Sequence, residues 1–191
     1  MPANMPIDNA GRPSRGQVLF ARSPMRVFVT ALVACALAAN AFGADVRALD
    51  KPAAGLPPLR TLDDSSYSLK ANRGQVRVLN FWAAWCAPCR EEMPALEKYA
   101  KSMSNQPVEV VLVNVGDSPK VIRGFLKKVP LNLPVVRDVD SAMTHGAWNL
   151  TQLPATMVID RHDTARWVTI GKLDAFANPV RKQVSFLLSK P

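Results

Sequence analysis

Histidine, tyrosine and cysteine are scarce in this chain: two, two and three residues among 191. A structural zinc site takes four ligands, as two close cysteine pairs or one pair with histidines nearby. Only Cys86 and Cys89 stand close together, while His145 and His162 lie far from them and from each other. The ligand count therefore argues against zinc. Lysine and arginine exceed the acids, 24 to 15, for a net charge of +9, yet no dense basic block, nucleic-acid motif or internal repeat occurs. A mildly basic surface serves solubility; it also favours anionic lipid headgroups or acidic partners. A bilayer-spanning run of about 20 apolar residues is missing as well.

What stands in its place is a shorter run, Val27 to Ala39, after Arg26 and before the small-residue exits Ala39-Asn40-Ala41 and Ala41-Phe42-Gly43. Basic end, apolar middle and small-residue exit make a secretory signal. Extended through Ala44, the segment could also serve as a weak uncleaved anchor. Leu32-Val33-Ala34-Cys35 resembles a lipoprotein box, although the apolar stretch continues past Cys35. Met1 to Pro24 carry Arg12, Arg15 and Arg22 with several prolines, which reads either as a long basic leader or as sequence ahead of a start at Met25. Cleavage near Ala44 would leave 147 residues, 20 basic and 14 acidic side chains, and two cysteines. The expected organisation is a signal or anchor over 1–44, a linker over 45–58 centred on proline-rich "KPAAGLPP", and one folded domain over 59–191.

Within that domain strand and helix patterns alternate. Leu59–Leu62 and Tyr67–Leu69 flank "DDSS" as a small hairpin. "VRVLNFW" (Val76–Trp82) and "VEVVLVNV" (Val108–Val115) read as buried strands. A helix is expected from Cys86 to about Met103, kinked at Pro94. Another starts at Ser118-Pro119 and runs to about Lys128. A strand at Leu133–Arg137, a helix at Asp140–Trp148, a hairpin of Ala155–Asp160 and Arg166–Ile170, and a closing helix at Asp174–Leu188 complete the order. Such alternation implies right-handed parallel crossovers, and the last strand pair implies an antiparallel edge. The expected fold is α/β, a mixed central sheet with helices on both faces.

The pair in "WCAPC" has three readings. Zinc fails on ligands. A permanent crosslink closing only Ala87 and Pro88 would constrain the unfolded chain little. Redox chemistry explains more. Cys86 follows a strand and opens a helix, where unpaired N–H groups and the helix dipole favour an anion. The thiolate is the attacking species, and Cys89, one turn on, is placed to resolve a mixed disulfide. Pro88 fits the first turn without losing a needed hydrogen bond. Trp82 and Trp85 either wall the site or pack. Pro154, in "TQLPAT", sits at a strand entrance. Taken alone, it favours an ordinary trans proline; a cis bond would expose the backbone groups of Leu153 to a bound peptide.

"NFWAAWCAPCREEMPAL" followed by "LPATMVID" resembles the thioredoxin superfamily, and more closely its exported thiol reductases of the TlpA/ResA type, which include cytochrome c maturation proteins. The resemblance covers roughly Leu56 to Leu188. It implies a thioredoxin-like three-layer α/β/α fold with an N-terminal hairpin and an inserted strand–helix element over "VNVGDSPKVIRGFLKK". It implies Cys86 as nucleophile, Cys89 as resolving thiol and a cis Pro154 facing them. Trp85, Ala87, Pro88 and Leu153 are the expected substrate contacts. Asp117 holds the place of an acidic residue, commonly Glu, near the thiols; there it could shuttle protons and raise thiol pKa by like-charge repulsion. As an alternative, Asp117 simply starts a helix beside Ser118. Trp148-Asn149-Leu150 stands where the family has a glycine.

The resulting expectation is an exported thiol:disulfide oxidoreductase, a monomer in the periplasm or another extracytoplasmic space, either free or tethered to the inner membrane. It acts chiefly as a reductant of protein disulfides such as those of apocytochrome c or copper-site assembly proteins. Its only redox group is the Cys86–Cys89 disulfide, with no other cofactor, and a membrane thiol donor keeps it reduced. Strong oxidants typically place a histidine between the cysteines; Ala87-Pro88 offers no charge. The alternative is a docking or metallochaperone module whose thiols hold copper(I), with Met93 near in sequence. A peroxidase would need a Thr-x-x-Cys arrangement, which is absent.

Overall fold

A computed structural model describes residues 44–53, 57–69, 73–173 and 178–190. The secretory segment, the alternative start at Met25 and the lipoprotein-like Cys35 lie outside them. Eight strands form one mixed sheet: β1 (Asp45–Pro52), β2 (Leu59–Arg60), β3 (Ser66–Tyr67), β4 (Val76–Trp82), β5 (Val108–Val115), β6 (Val135–Asp138), β7 (Ala155–Ile159) and β8 (Thr164–Ile170). Their order is β1-β8-β7-β4-β5-β6-β2-β3. The β4–β5 and β5–β6 pairs are parallel and the others antiparallel. Three α-helices are described, α1 (Ala87–Ser102), α2 (Pro119–Lys128) and α3 (Asn178–Leu188); residues 174–177, expected to begin the last helix, lie outside the described set.

Strand β4 is buried along its whole length, as a strand between two covered faces should be, and its two polar residues, Arg77 and Asn80, are hydrogen-bonded within the protein. Side chains alternate across the pleat. Val76, Val78 and Trp82 join Val110 and Leu112 in a core that also holds Met93 and Leu96 of α1, Ile122 of α2 and Val180 and Val184 of α3. Leu79 and Phe81 join Val111 and Val113 on the other face, with Met143, Trp148 and Leu150. The sheet is thus the middle of three layers: helices on one face, and the segment Val139–Leu150 on the other.

That second covering segment differs from the expected helix over Asp140–Trp148. A 3-10 turn at Val139–Ser141 leads into a π-helical turn at Ala142–Ala147. Asp140 and Ser141 hold φ of 57° and 54°, the left-handed region that breaks a regular ladder and that Asp tolerates better than most residues. The buried Asp138 carboxylate accepts the N–H groups of Met143 (2.8 Å) and Thr144 (2.6 Å), so the turn is organised by a side chain instead of a helix start of its own.

The expected linker over 45–58 is corrected in its first half. Asp45–Pro52 is a strand, paired to β8 from Asp45↔Ile170 to Pro52↔Thr164 with an irregularity between Ala48 and Lys51. Only Leu49 of its eight residues is better than exposed, so its sequence carries no inward alternation; backbone pairing makes the strand. The final hairpin is accordingly not the sheet edge. Arg47 and Lys51 place charge on that outer strand, which guards an edge against unwanted pairing.

A charge pair is buried beneath this scaffold. Arg77 in β4 is inaccessible to solvent; it donates to Asp163 in the β7–β8 turn and to the carbonyl of Leu69. Arg73 also reaches Asp163, at 2.9 Å.

Candidate functional site

The end of β4 delivers the chain to Ala83-Ala84-Trp85, and Cys86 caps α1 in an extended conformation (φ −79°, ψ 99°). The Cys89 N–H donates to Cys86 Sγ at 3.3 Å. Cys86 and Cys89 are joined as a disulfide, with Cα atoms 5.3 Å apart. The sulfur of residue 86 therefore occupies the place where a helix N-terminus receives an anion. The first turn carries no acidic residue to compete for that position. Cys89 is fully buried and Cys86 retains 4% exposure, which makes Cys86 the more accessible of the two residues. Trp85, Ala87 and Pro88 surround it as exposed residues.

Two charged side chains hold the loop that carries Trp85. Asp117 Oδ2 accepts the Ala84 N–H at 2.6 Å and Asn114 Nδ2 at 2.9 Å. Arg90 Nη1 donates to the Ala84 carbonyl at 2.7 Å. The Ala84 residue is thus gripped at both of its backbone groups, from the β5–α2 loop and from α1. Gly116, at φ +81°, makes the left-handed turn that swings Asp117 toward it, a conformation suited to glycine. The α2 cap is Ser118, whose Oγ accepts the Val121 N–H at 3.4 Å.

The Leu153–Pro154 peptide is cis. Asn80 pairs with Thr156 and Phe81 with Ala155; extending that register by one residue sets Pro154 beside Trp82, at the same end of the sheet as the cysteine loop. Pro154 is buried and its carbonyl accepts the Gly171 N–H at 2.9 Å. Leu153 is half-buried. Asn149 takes φ 49°, so asparagine, the commonest non-glycine residue there, supplies a glycine-like conformation in the Trp148-Asn149-Leu150 stretch.

Glu92 escaped the sequence reading. It is 1% exposed, one turn beyond Cys89 and on the same helix face. Its Oε1 accepts Asn80 Nδ2 at 2.8 Å and its Oε2 accepts the Leu173 N–H at 2.9 Å. Burial raises its pKa, against the opposing pull of those hydrogen bonds and of Lys172. The sequence carries a signal for it: a Cys-x-x-Glu spacing, and an asparagine in the apolar half of β4, Leu79–Trp82. Because the folded carboxyl holds its proton to higher pH than the unfolded chain does, this group costs no stability below the unfolded value of about 4.3. Stability then falls as pH rises through the raised folded value. Glu92→Gln is expected to flatten that fall in urea-unfolding free energies measured across pH; an unchanged slope would show that Glu92 is not its source.

Among the described residues no group of three or more His, Cys, Asp or Glu side chains is placed to hold a metal ion, and no helix is long and apolar enough to cross a membrane.

Comparison with known proteins places this geometry. The AhpC/TSA family model matches residues 50–168. The thiol-disulfide oxidoreductase ResA of Bacillus subtilis is 36% identical over 101 residues, 53% of this chain and 56% of that protein. The thioredoxin-like protein YneN of the same organism is 33% identical over 118 residues, 60% of this chain and 68% of that protein. The ResA match thus spans little more than half of that relative's length. Among solved structures, MTB DsbF superposes with a TM-score of 0.61 at 27% identity, covering 72% of this chain and 98% of DsbF. A thioredoxin-family thiol:disulfide interchange protein from Chlorobium tepidum gives 0.61 at 22% identity, covering 76% and 99%, and speaks to the fold alone. The fold is thioredoxin-like.

Proposed function

The chain belongs to the AhpC/TSA family, and we propose that within it this protein is an extracytoplasmic thiol:disulfide oxidoreductase that reduces protein disulfides through Cys86 and Cys89. The observation that carries the reading is a disulfide whose more accessible residue, Cys86, stands at the N-cap of α1. In the reduced protein the Cys86 thiolate attacks one sulfur of a substrate disulfide. A mixed disulfide forms, and the other substrate sulfur leaves as a thiolate that takes up a proton. Cys89 then attacks Cys86 Sγ, gives up its own proton and releases the second substrate thiol. Two electrons pass to the substrate, and the Cys86–Cys89 bond closes. Glu92, buried a turn below Cys89, is the group assigned to hold the proton that Cys89 must lose. Asp117 serves the same chemistry by positioning the loop through Ala84. Trp85, Ala87, Pro88 and Leu153 are assigned to the substrate contact, with Pro154 shaping it.

The N-terminal segment supports export, with removal or retention as a tether. In an oxidising compartment the disulfide accumulates, so the cycle requires electrons from a membrane thiol carrier. Substrates are assigned to cysteines of apocytochrome c or of copper-site assembly proteins, on the strength of the TlpA/ResA resemblance, and the working unit is a monomer. With Ala87 and Pro88 between the cysteines, no added positive charge stabilises the reduced pair. The reduction potential is therefore expected nearer the value of about −270 mV for thioredoxin than the roughly −120 mV of a strong oxidant. Equilibration with defined thiol buffers, followed by alkylation and mass measurement, reads it; a value near the oxidant's would reverse the direction.

A further inference from the structure

Beside the thiol loop lies a groove of about 590 Å³ bounded by Ala84 and Arg90 on one side and by Val121, Gly124, Phe125 and Lys128 of α2 on the other. We propose that it receives an extended, acidic segment of the disulfide-bearing protein, flanking the cysteine under attack; this rests on the oxidoreductase reading above.

Position is the first argument. Ala84 is two residues from Cys86, and its neighbour Trp85 is 69% exposed. A chain whose cysteine meets Cys86 has this groove within reach of its next few residues. The second argument is Gly124. Glycine inside a helix is less favourable than alanine, so a structural reason is expected. A Cβ built there meets nothing within 4 Å, and no positive φ requires glycine. The fold itself gains nothing from the bare position. Its effect is to lower the groove wall between Val121 and Lys128, where another backbone can approach.

Charge identifies the occupant. Helix α2 has no acidic residue; of its four cations Lys128 lines this groove, while Arg123 is turned to the Leu62 carbonyl. Arg90 faces the helix across the groove, oriented by its hydrogen bond to the Ala84 carbonyl. No acidic residue lines the groove, and Asp117 of the adjoining loop is engaged by the Ala84 N–H and by Asn114. Val121, 46% exposed, and Phe125 supply apolar floor between the cationic rims. A carboxylate-bearing segment with one or two apolar side chains matches that pattern, whereas a basic segment meets repulsion at both rims.

The test uses the full chain and four short peptides: an acidic-apolar sequence around one cysteine, its lysine-for-acid twin, and the serine version of each. The cysteine peptides are offered as mixed disulfides for reduction, and the serine versions are labelled for fluorescence anisotropy. The acidic disulfide is expected to have a kcat/KM about tenfold above its twin at low salt, the sum of two rim charge pairs, and the preference should fade with added salt. Lys128→Glu should bring the ratio near one, and Gly124→Trp should weaken acidic-peptide binding; Lys128→Glu, on an exposed position, keeps the test intact if the tryptophan variant fails to fold. An absent preference, or one that neither variant moves, overturns the proposal. So does a groove taken instead by anionic vesicles or by a second copy of the chain, seen as vesicle binding or dimer sedimentation that Lys128→Glu abolishes without any peptide binding. Binding of the acidic serine peptide that responds to Lys128→Glu, with no disulfide reduced, would uphold the groove and overturn the oxidoreductase reading.

Discussion

Cys89→Ser is expected to stop turnover at a covalent complex with substrate. In the proposed cycle the mixed disulfide resolves by attack from Cys89, held near its target by the first turn of α1. Well-oriented intramolecular reactions have effective molarities of about 10⁵ M or more, so rescue by an external thiol at millimolar levels cannot compete. Turnover should drop by at least about a thousandfold on that basis. Non-reducing gels of the native cell, followed by mass spectrometry of the adducts, should show partner proteins linked through Cys86. Cys86→Ser should trap none and reduce nothing. Trapping by Cys86→Ser together with none by Cys89→Ser would exchange the two roles.

The second large effect is structural. Asp163→Asn removes the charge facing Arg77 while keeping a residue suited to the left-handed backbone at this position, φ 63°. Arg77 is then a cation whose side chain is 1% exposed and which faces only neutral acceptors, the Leu69 carbonyl and the new amide oxygen. Breaking a buried pair by removing one member costs about 3–5 kcal/mol; the low end is expected, since the amide oxygen still accepts a hydrogen bond. That is a large share of a typical stability of about 5–15 kcal/mol. Urea unfolding should show it as a lower midpoint with unchanged slope. The double variant Arg77→Met/Asp163→Asn should recover most of the loss, because the uncompensated charge is gone. A double variant no more stable than the single would assign the cost to the turn itself.

Strands β4 and β5 and the helix after Ser118-Pro119 are legible in the sequence, because burial on both faces leaves runs dominated by β-branched and aromatic residues, broken by only two polar residues each, and because Ser-Pro is a strong cap. The parallel crossovers followed from that alternation. β1 was illegible for the opposite reason: an outer strand with one half-buried side chain shows no period, and its pairing is made by backbone alone. The segment after β6 has the composition of a helix, but two left-handed residues and the Asp138 carboxylate wind it differently. Such tertiary capping leaves no local pattern. At the site, the cysteine pair was plain from spacing, whereas Glu92 looked like one more charge on a helix until Asn80 and Leu173 were seen to bury it. From sequence the Asp117 side chain suits a proton carrier or a helix start; its contact with Ala84, 33 residues away, is the kind of long-range pairing that no local motif encodes.

The most direct measurement mixes the fully reduced protein, one to one, with a folded protein carrying a single accessible disulfide, and counts alkylated thiols on both by mass over time. Two thiols should disappear from Cys86 and Cys89 as two appear on the substrate, through a transient adduct at Cys86. Persistence of both thiols, in protein shown by circular dichroism to be folded and against several such disulfides, would contradict the account.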